Sequence, residues 1–264
     1  MTHTDIMNHE LLYPMIFKRK SFHLFRNNKT REYYSDTYRI SDEEYEDILN
    51  TFRSLDALYP DIKTDIRIAD NEETTCKRGQ EKVLLLYSED KDNYLMNMGY
   101  IGEQLDLYLA SKNIGTLWFG MNKADMPDYN GLKYVIMIAI SKVPEDSFRK
   151  DMFKAKRKDI GQIWQGDEME DIPNIIRFAP SACNTQPWKV INEDSVLKVY
   201  RYVAPIRKWV MPIDGVLHYN HIDIGIFLCF LELCLKHHDI SYERQLFTDD
   251  RNDEMNKVGE YRIN

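Results

Sequence analysis

No two cysteines of this 264-residue chain are spaced as C-x-x-C. The four present are Cys76, Cys183, Cys229 and Cys234, and a zinc site would need tighter clustering of Cys and His. They read as free thiols of a reducing compartment. No apolar run approaches a membrane span; the longest are residues 134–140 and 224–231. The N-terminus is polar and lacks the apolar core of a secretory signal. These absences point to a cytoplasmic protein with no membrane partner. Basic residues are not in excess: 35 Lys and Arg against 43 Asp and Glu leave a net charge of -8, so nucleic acid is not expected as a bulk partner. Also missing are G-x-G-x-x-G, a Walker loop and G-x-S-x-G, which leaves a Rossmann or hydrolase reading without support.

What is present is a chain with 43% hydrophobic residues, enough for one large domain or two intimate halves that need no disulfide. Residues 1–16 read as a short lead-in. Ser41 with Glu44 forms a capping-box signature, which opens a helix carrying Tyr45, Ile48, Leu49 and Phe52 at helical spacing. Residues 82–87 read as a buried strand, 98–113 as a long helix with Ile101, Leu105, Tyr108 and Leu109 on one face, and 133–140 as a second strand. Gly115 falls just past the helix, where a C-terminus prefers glycine. In the second half, 167–178 has a helical pattern. Residues 188–191 and 196–202 read as strands around the polar turn 192–195, and 221–238 as a long apolar helix. A weak internal match sets Gly99 against Gly225 and Asn113-Ile114 against Asp239-Ile240; "LNTFRS" around Arg53 matches "PNIIRF" around Arg177. Two related halves would produce such matches, and so would chance alignment of amphipathic helices.

Four segments have the composition of a ligand site. Arg19-Lys20-Ser21-Phe22-His23 offers two cations and a hydroxyl suited to a phosphate, although alone it reads equally as a basic surface turn. Residues 179–188, APSACNTQPW, combine two restraining prolines, small residues that permit close approach, and the donors and acceptors of Ser181, Asn184 and Gln186. Trp188 is a packing anchor in that reading. Residues 113–120, NIGTLWFG, leave the long helix through one glycine and end on another, as a ligand contact or as a cap followed by a buried strand. The basic cluster from Arg149 to Lys158 is either a solvated face or the complement of a phosphate pocket. His218, His221 and Asp223 have metal-like spacing without a further partner, so no metal is expected, and His237-His238 suits a helix C-terminus.

Taken together, these segments resemble the nitroreductase family of FMN enzymes. The order RxS, helix, strand, long helix, GTxWxG, strand, basic cluster is similar to one protomer of that family, and residues 180–188 look like its PSxxNxQPW motif. That motif occurs here only in the second half, and the second half has no clear GTxWxG after Ile240. The chain therefore resembles a branch in which one polypeptide holds two degenerate halves, residues 1–160 and 161–264, packed as a pseudo-dimer. The resemblance implies an α+β fold of central, mostly antiparallel sheets flanked by helices, with one FMN between the halves. By the same resemblance Arg19, Lys20 and Ser21 hold the FMN phosphate and ribityl chain, and His23 occupies a position that is often basic. Leu117, Trp118, Phe119 and Gly120 flank the isoalloxazine, Pro180, Ser181, Ala182, Asn184 and Gln186 line it from the other half, and Lys156, Arg157 and Lys158 match late phosphate-binding residues. It further implies NADH or NADPH as electron donor, a small-molecule acceptor such as a nitroaromatic or quinone, and a chain that can act as a monomer. No side-chain acid or nucleophile is required, because the flavin carries the chemistry. Other readings are an FMN-binding sensor or carrier without turnover, reductive dehalogenation or dehydrogenation on the same scaffold, and a domain binding another phosphorylated ligand.

Overall fold

The computed structural model describes residues 9–120, 123–203, 213–249 and 254–264. Two compact units divide the chain: Met1–Tyr94 with Ile101–Asp151, and Leu95–Tyr100 with Met152–Asn264.

The first unit begins with helix α1 (His9–Lys18), which buries Leu12, Tyr13 and Ile16. The sequence reading took residues 1–16 as a lead-in, and residues 1–8 lie outside the described residues. Pro14 sits inside α1 and removes one helical hydrogen bond, but the buried stripe prevails. Helix α2 (Asp42–Ser54) starts at the foreseen capping box: the Glu44 N–H donates to Ser41 Oγ at 3.2 Å, and the Ser41 N–H to Glu44 Oε2 at 3.1 Å. Strands β1 (Thr64–Ala69) and β2 (Lys82–Ser88) follow, then helix α3 (Tyr94–Ser111), β3 (Ile114–Phe119), the short β4 (Asp128–Tyr129) and β5 (Leu132–Lys142). The sheet order is β1-β2-β5-β3, with β4 on β5 and every pairing antiparallel. Residues 95–110 of α3 are buried without a break, not on one face only. Its C-cap is Lys112, followed by Asn113 in the left-handed region (φ 57°), and Gly115 already belongs to β3.

In the second unit a single turn, α4 (Ile160–Ile163), leads into β6 (Trp164–Gly166). The helix expected over 167–178 is only α5 (Ile172–Ile176), with Pro173 at its start, where proline is tolerated. Strands β7 (Trp188–Glu193) and β8 (Val196–Tyr202) form a hairpin. Its two turn residues, Asp194 and Ser195, both have positive φ, as a tight two-residue hairpin demands. Helix α6 (Ile213–His237) begins eight residues before the expected start and is buried continuously over 220–235. By length and composition its stretch Gly215–His237 could cross a membrane, but 83% of that window is buried inside the protein, as in a core helix. Strands β9 (Tyr242–Leu246) and β10 (Met255–Ile263) complete the sheet β6-β7-β8-β10-β9, antiparallel except for β6 on β7.

The second sheet repeats the order of the first, with β7, β8, β10 and β9 in the places of β1, β2, β5 and β3. The internal matches have structural counterparts. Asn113 and Asp239 both adopt positive φ after a long helix. Asn50 accepts from Arg53 at 3.1 Å, as Asn174 does from Arg177 at 3.0 Å. Where the Leu95–Tyr100 segment meets α6, a Cβ on Gly99 would lie 2.0 Å from the Ile222 carbonyl oxygen, and one on Gly225 would lie 1.9 Å from that of Met96. Each glycine thus touches the backbone three residues before the other, a reciprocal contact of two-fold character that only glycine allows.

Candidate functional site

In the first unit the site is organised by Asp106, deep in α3. The Arg19 side chain is buried against it, with Nη2 at 2.9 Å and Nε at 3.1 Å from Oδ2. Thr116 Oγ1 donates to Oδ1 at 2.5 Å and Trp118 Nε1 to Oδ2 at 2.9 Å, so the carboxylate is fully engaged. Burial opposes the Arg19 charge, but Asp106 and Glu103 more than offset it and raise its pKa above the ordinary value. Glu103 lies 3.6 Å from Arg19 Nε, beyond hydrogen-bond reach, and its buried carboxyl oxygens have no hydrogen-bond partner. Burial first, and then the Asp106 charge, push this carboxyl well above the usual range.

This hub seats the N-terminal turn on the sheet edge. Ser21 bridges Thr116 in parallel, and the Phe22 N–H donates to the Thr116 carbonyl at 2.9 Å. Gly115 admits the Phe22 ring, which a Cβ would approach to 2.8 Å. Arg19, Lys20 and Ser21 are thereby brought to the strand that carries Leu117, Trp118 and Phe119. Leu117 is buried, while Trp118, Phe119 and Gly120 are half-buried. His23 is exposed. Lys20 Nζ donates to the Ser147 carbonyl at 2.9 Å, and its pKa is lowered by burial and then by the charge of Arg149.

In the second unit the polar loop and the late basic cluster hold one another. Cys183, Asn184 and Gln186 all have positive φ, at 50°, 55° and 48°. The loop is pinned from inside by the Gln186 N–H donating to Ser181 Oγ at 3.0 Å and the Thr185 N–H to the Ala182 carbonyl at 3.0 Å. Lys158 Nζ donates to the Thr185 carbonyl at 2.6 Å, to the Gln186 carbonyl at 3.0 Å and to the Tyr202 hydroxyl; its backbone N–H donates to Gln186 Oε1 at 2.9 Å. Burial lowers the Lys158 pKa to about 8. Arg157 donates to the Lys156 and Phe178 carbonyls at 2.9 and 3.1 Å, and Lys156 is exposed. Underneath, Asp223 on α6 accepts the Ala182 N–H on both oxygens, at 3.0 and 3.1 Å, and burial pushes its carboxyl well above the usual range. Asn220 accepts from Thr185 Oγ1 at 2.9 Å, and its buried Nδ2 has no partner. Pro180, Ser181 and Ala182 remain half-buried, whereas Cys183 and Asn184 are exposed. Trp188 is the packing anchor foreseen, stacked on Phe227 at 4.9 Å.

Sequence reasoning missed Asp106, Glu103 and Asn220, and it assigned Arg149 no individual role. The signal for the first two was visible: they are the only charged residues in the otherwise apolar and neutral α3. Asp223 entered the sequence reading only through its metal-like spacing; its carboxylate caps the loop instead. Among the described residues no group of three or more His, Cys, Asp or Glu is placed to hold a metal ion.

Over residues 12–235 the chain matches a family profile described as "Putative TM nitroreductase". Among solved structures it is similar to a "putative nitroreductase" of Thermotoga maritima MSB8, with 18% identity and a TM-score of 0.59, covering 97% of this chain and 95% of that one. At that identity the likeness is one of fold. A "Putative NADH dehydrogenase/NAD(P)H nitroreductase" of Parabacteroides distasonis ATCC 8503 covers 60% of this chain and 97% of its own at 12% identity, with a TM-score of 0.40. A "Putative NADH Oxidase" of Clostridium acetobutylicum covers 56% and 96% at 15% identity, with a TM-score of 0.38. Scores this low carry no further argument. No curated protein matches.

Proposed function

Because the chain belongs to the nitroreductase family whose profile spans residues 12–235, a family of oxidoreductases, we propose that it binds one FMN per chain and reduces electron-poor small molecules, nitroaromatics or quinones, at the expense of NADH or NADPH. The observation that carries this reading is the pairing of the Arg19–Phe22 segment with the edge strand β3, which gathers a cation, a hydroxyl and two half-buried aromatic side chains on one sheet edge. That donor set fits the cofactor: Lys20 and Ser21 suit its phosphate and ribityl oxygens, and the end of β3 offers aromatic surface and a terminal glycine to the ring.

When bound, FMN supplies hydride chemistry at its N5. In this reading the residues of the chain position it and keep water out. Arg19, neutralised by Asp106, fixes the turn from behind and leaves Lys20 and Ser21 to meet the phosphate. The end of β3, from Leu117 to Gly120, would flank the ring. In the second unit Lys158 braces the loop that carries Pro180, Ser181, Ala182, Asn184 and Gln186 through the Thr185 and Gln186 carbonyls, which leaves those residues fixed for a role at the cofactor.

The test is the absorbance of the purified protein. The expected result is a flavin spectrum at one FMN per chain that bleaches anaerobically with NADH or NADPH and returns on adding a quinone. A colourless protein without affinity for FMN would refute the reading, and a ratio of two would refute its single-site form.

A further inference from the structure

Beside the end of β3, residues 73–80 form an arm pinned on both flanks. On one flank the Thr75 N–H donates to the Lys123 carbonyl at 3.3 Å and the Asp125 N–H to the Glu73 carbonyl at 3.0 Å; on the other the Phe25 N–H donates to the Arg78 carbonyl at 2.9 Å. The buried Gln80 side chain accepts the Arg78 N–H at 2.8 Å and donates to the Cys76 carbonyl at 2.7 Å. Gly79 turns the chain at φ 74°, and a Cβ there would lie 2.3 Å from the Tyr33 ring. Arg78 is thus held at its own N–H and carbonyl, and its exposed side chain lies over Phe119, with the guanidinium carbon 5.0 Å from the ring centroid. A cation–π contact at an exposed site gains no more than the ordering of an arginine costs, so stability does not explain so firm a mount. Arg26 follows Phe25 in the chain and pairs with Tyr33, the residue packed on Gly79. It is half-buried, and its Nε is buried without a hydrogen-bond partner, a donor that burial penalises until an acceptor reaches it. Among the described residues neither guanidinium is paired with a carboxylate.

We propose that Arg78 and Arg26 form a carboxylate-binding subsite beside Phe119, and that the acceptors this protein reduces are electron-poor aromatics bearing a carboxylate. A guanidinium carried over a ring still presents its N–H fork, which binds both oxygens of a carboxylate at once. Phe119, at the end of β3, offers its ring to the apolar body of the same ligand. The acceptor class rests on the function proposed above, because the cofactor flanked by β3 is what would reduce it. The subsite itself does not depend on that reading.

The test compares 4-nitrobenzoate with its neutral isostere 4-nitrobenzamide as acceptors for wild type, R78Q and R78K. The ratio of their kcat/KM values is read in each protein, and the intrinsic reactivity of the two rings cancels between wild type and variant. R78Q should lower the ratio of carboxylate to amide about tenfold, with R78K in between because lysine keeps the charge and loses the fork. An unchanged ratio overturns the proposal. Equal losses for both acceptors overturn it too, because they mark a structural role, and so does a change confined to the preference for NADPH over NADH, which would assign the anion to the donor. Should R78Q fail to fold, R78K is read by the same criteria. Ligand-observed NMR with benzoate and benzamide needs neither flavin nor turnover. Wild type should retain benzoate over benzamide, and R78Q should treat them alike. That result in a protein that binds no FMN upholds the subsite while the flavin reading falls; a wild type that does not discriminate overturns the subsite.

Discussion

Asp106 and Glu232 occupy equivalent places in the two long helices, each seven residues after the glycine of the reciprocal contact. Each is buried and each collects several donors, an arginine among them. Asp106 takes Thr116 and Trp118 from β3. Glu232 takes Tyr242 at 3.0 Å and Arg244 at 2.8 Å from β9, and these stand 126 positions after Thr116 and Trp118, the interval that separates the two glycines. The remaining donors differ. Glu232 adds the hydroxyls of Tyr100 and Tyr261, both at 2.8 Å, and closes within its own sheet and helices. Asp106 adds Arg19 and so anchors the N-terminal turn with Lys20 and Ser21. The same carboxylate and strand geometry occurs twice, and among the described residues the first copy uses it to hold the N-terminal turn of Arg19 to Ser21.

The comparison breaks most visibly at the hubs. D106A should cost about 3–5 kcal/mol in urea denaturation, since the buried Arg19 loses its counter-ion, and E232A about 1–3 kcal/mol, since the buried Tyr100 and Tyr261 hydroxyls lose their acceptor. Only D106A should also weaken FMN binding, and equal losses of FMN affinity in both variants would erase the functional asymmetry. Next come the glycines: G99L and G225L should each cost about 3 kcal/mol by the same measurement, because the new side chain meets a backbone carbonyl that cannot yield. A large inequality between them would contradict the two-fold character of the contact. A smaller effect separates the helices by pH. Cys229 stands where the first copy has Glu103, whose carboxyl is raised by burial. The folded state therefore holds a proton that the unfolded chain releases from about pH 4.5, so stability falls as pH rises above that point, by about 1.4 kcal/mol per pH unit for one proton. E103Q should flatten this part of the slope and exceed wild type in stability at pH 7. The smallest effect is the repeated Asn–Arg contact: N50A and N174A should each cost about 0.2–0.5 kcal/mol, measurable as a matched pair.

Much of this pattern could be read from the sequence where local signals are strong. The capping box at Ser41, the compact run of β2, the hairpin at Asp194-Ser195 and the spacing of the two glycines all depend on neighbours in the chain. The rest depends on neighbours in space. Strand β9 is largely exposed and polar, an edge that no period-two pattern marks. Helix α1 contains a proline, and α5 starts only at Ile172, after Glu170 in the left-handed region (φ 37°) and with Pro173 in its first turn. Asp106 stands out as a lone charge in α3 beside Glu103, but a carboxylate in a helix usually marks a solvated face, and only the fold shows that this face is packed. The motif residues fell into two groups, Arg19 to Ser21 with Leu117 to Phe119, and Lys156 to Lys158 with Pro180 to Gln186. In the second group, Lys158 spends its donors on the Thr185 and Gln186 carbonyls and Arg157 on those of Lys156 and Phe178, roles that sequence spacing does not reveal.

The reciprocal glycine contact also decides where the polypeptide can be severed. Residues 95–100 come early in the chain but are counted with the later compact unit, and their glycine is spaced for a carbonyl on α6. A fragment ending at Asp151 would carry that stretch uncovered, and a fragment starting at Met152 would lack the piece its long helix closes upon. The two segments should therefore be insoluble when made separately and recover a native fold only when produced together.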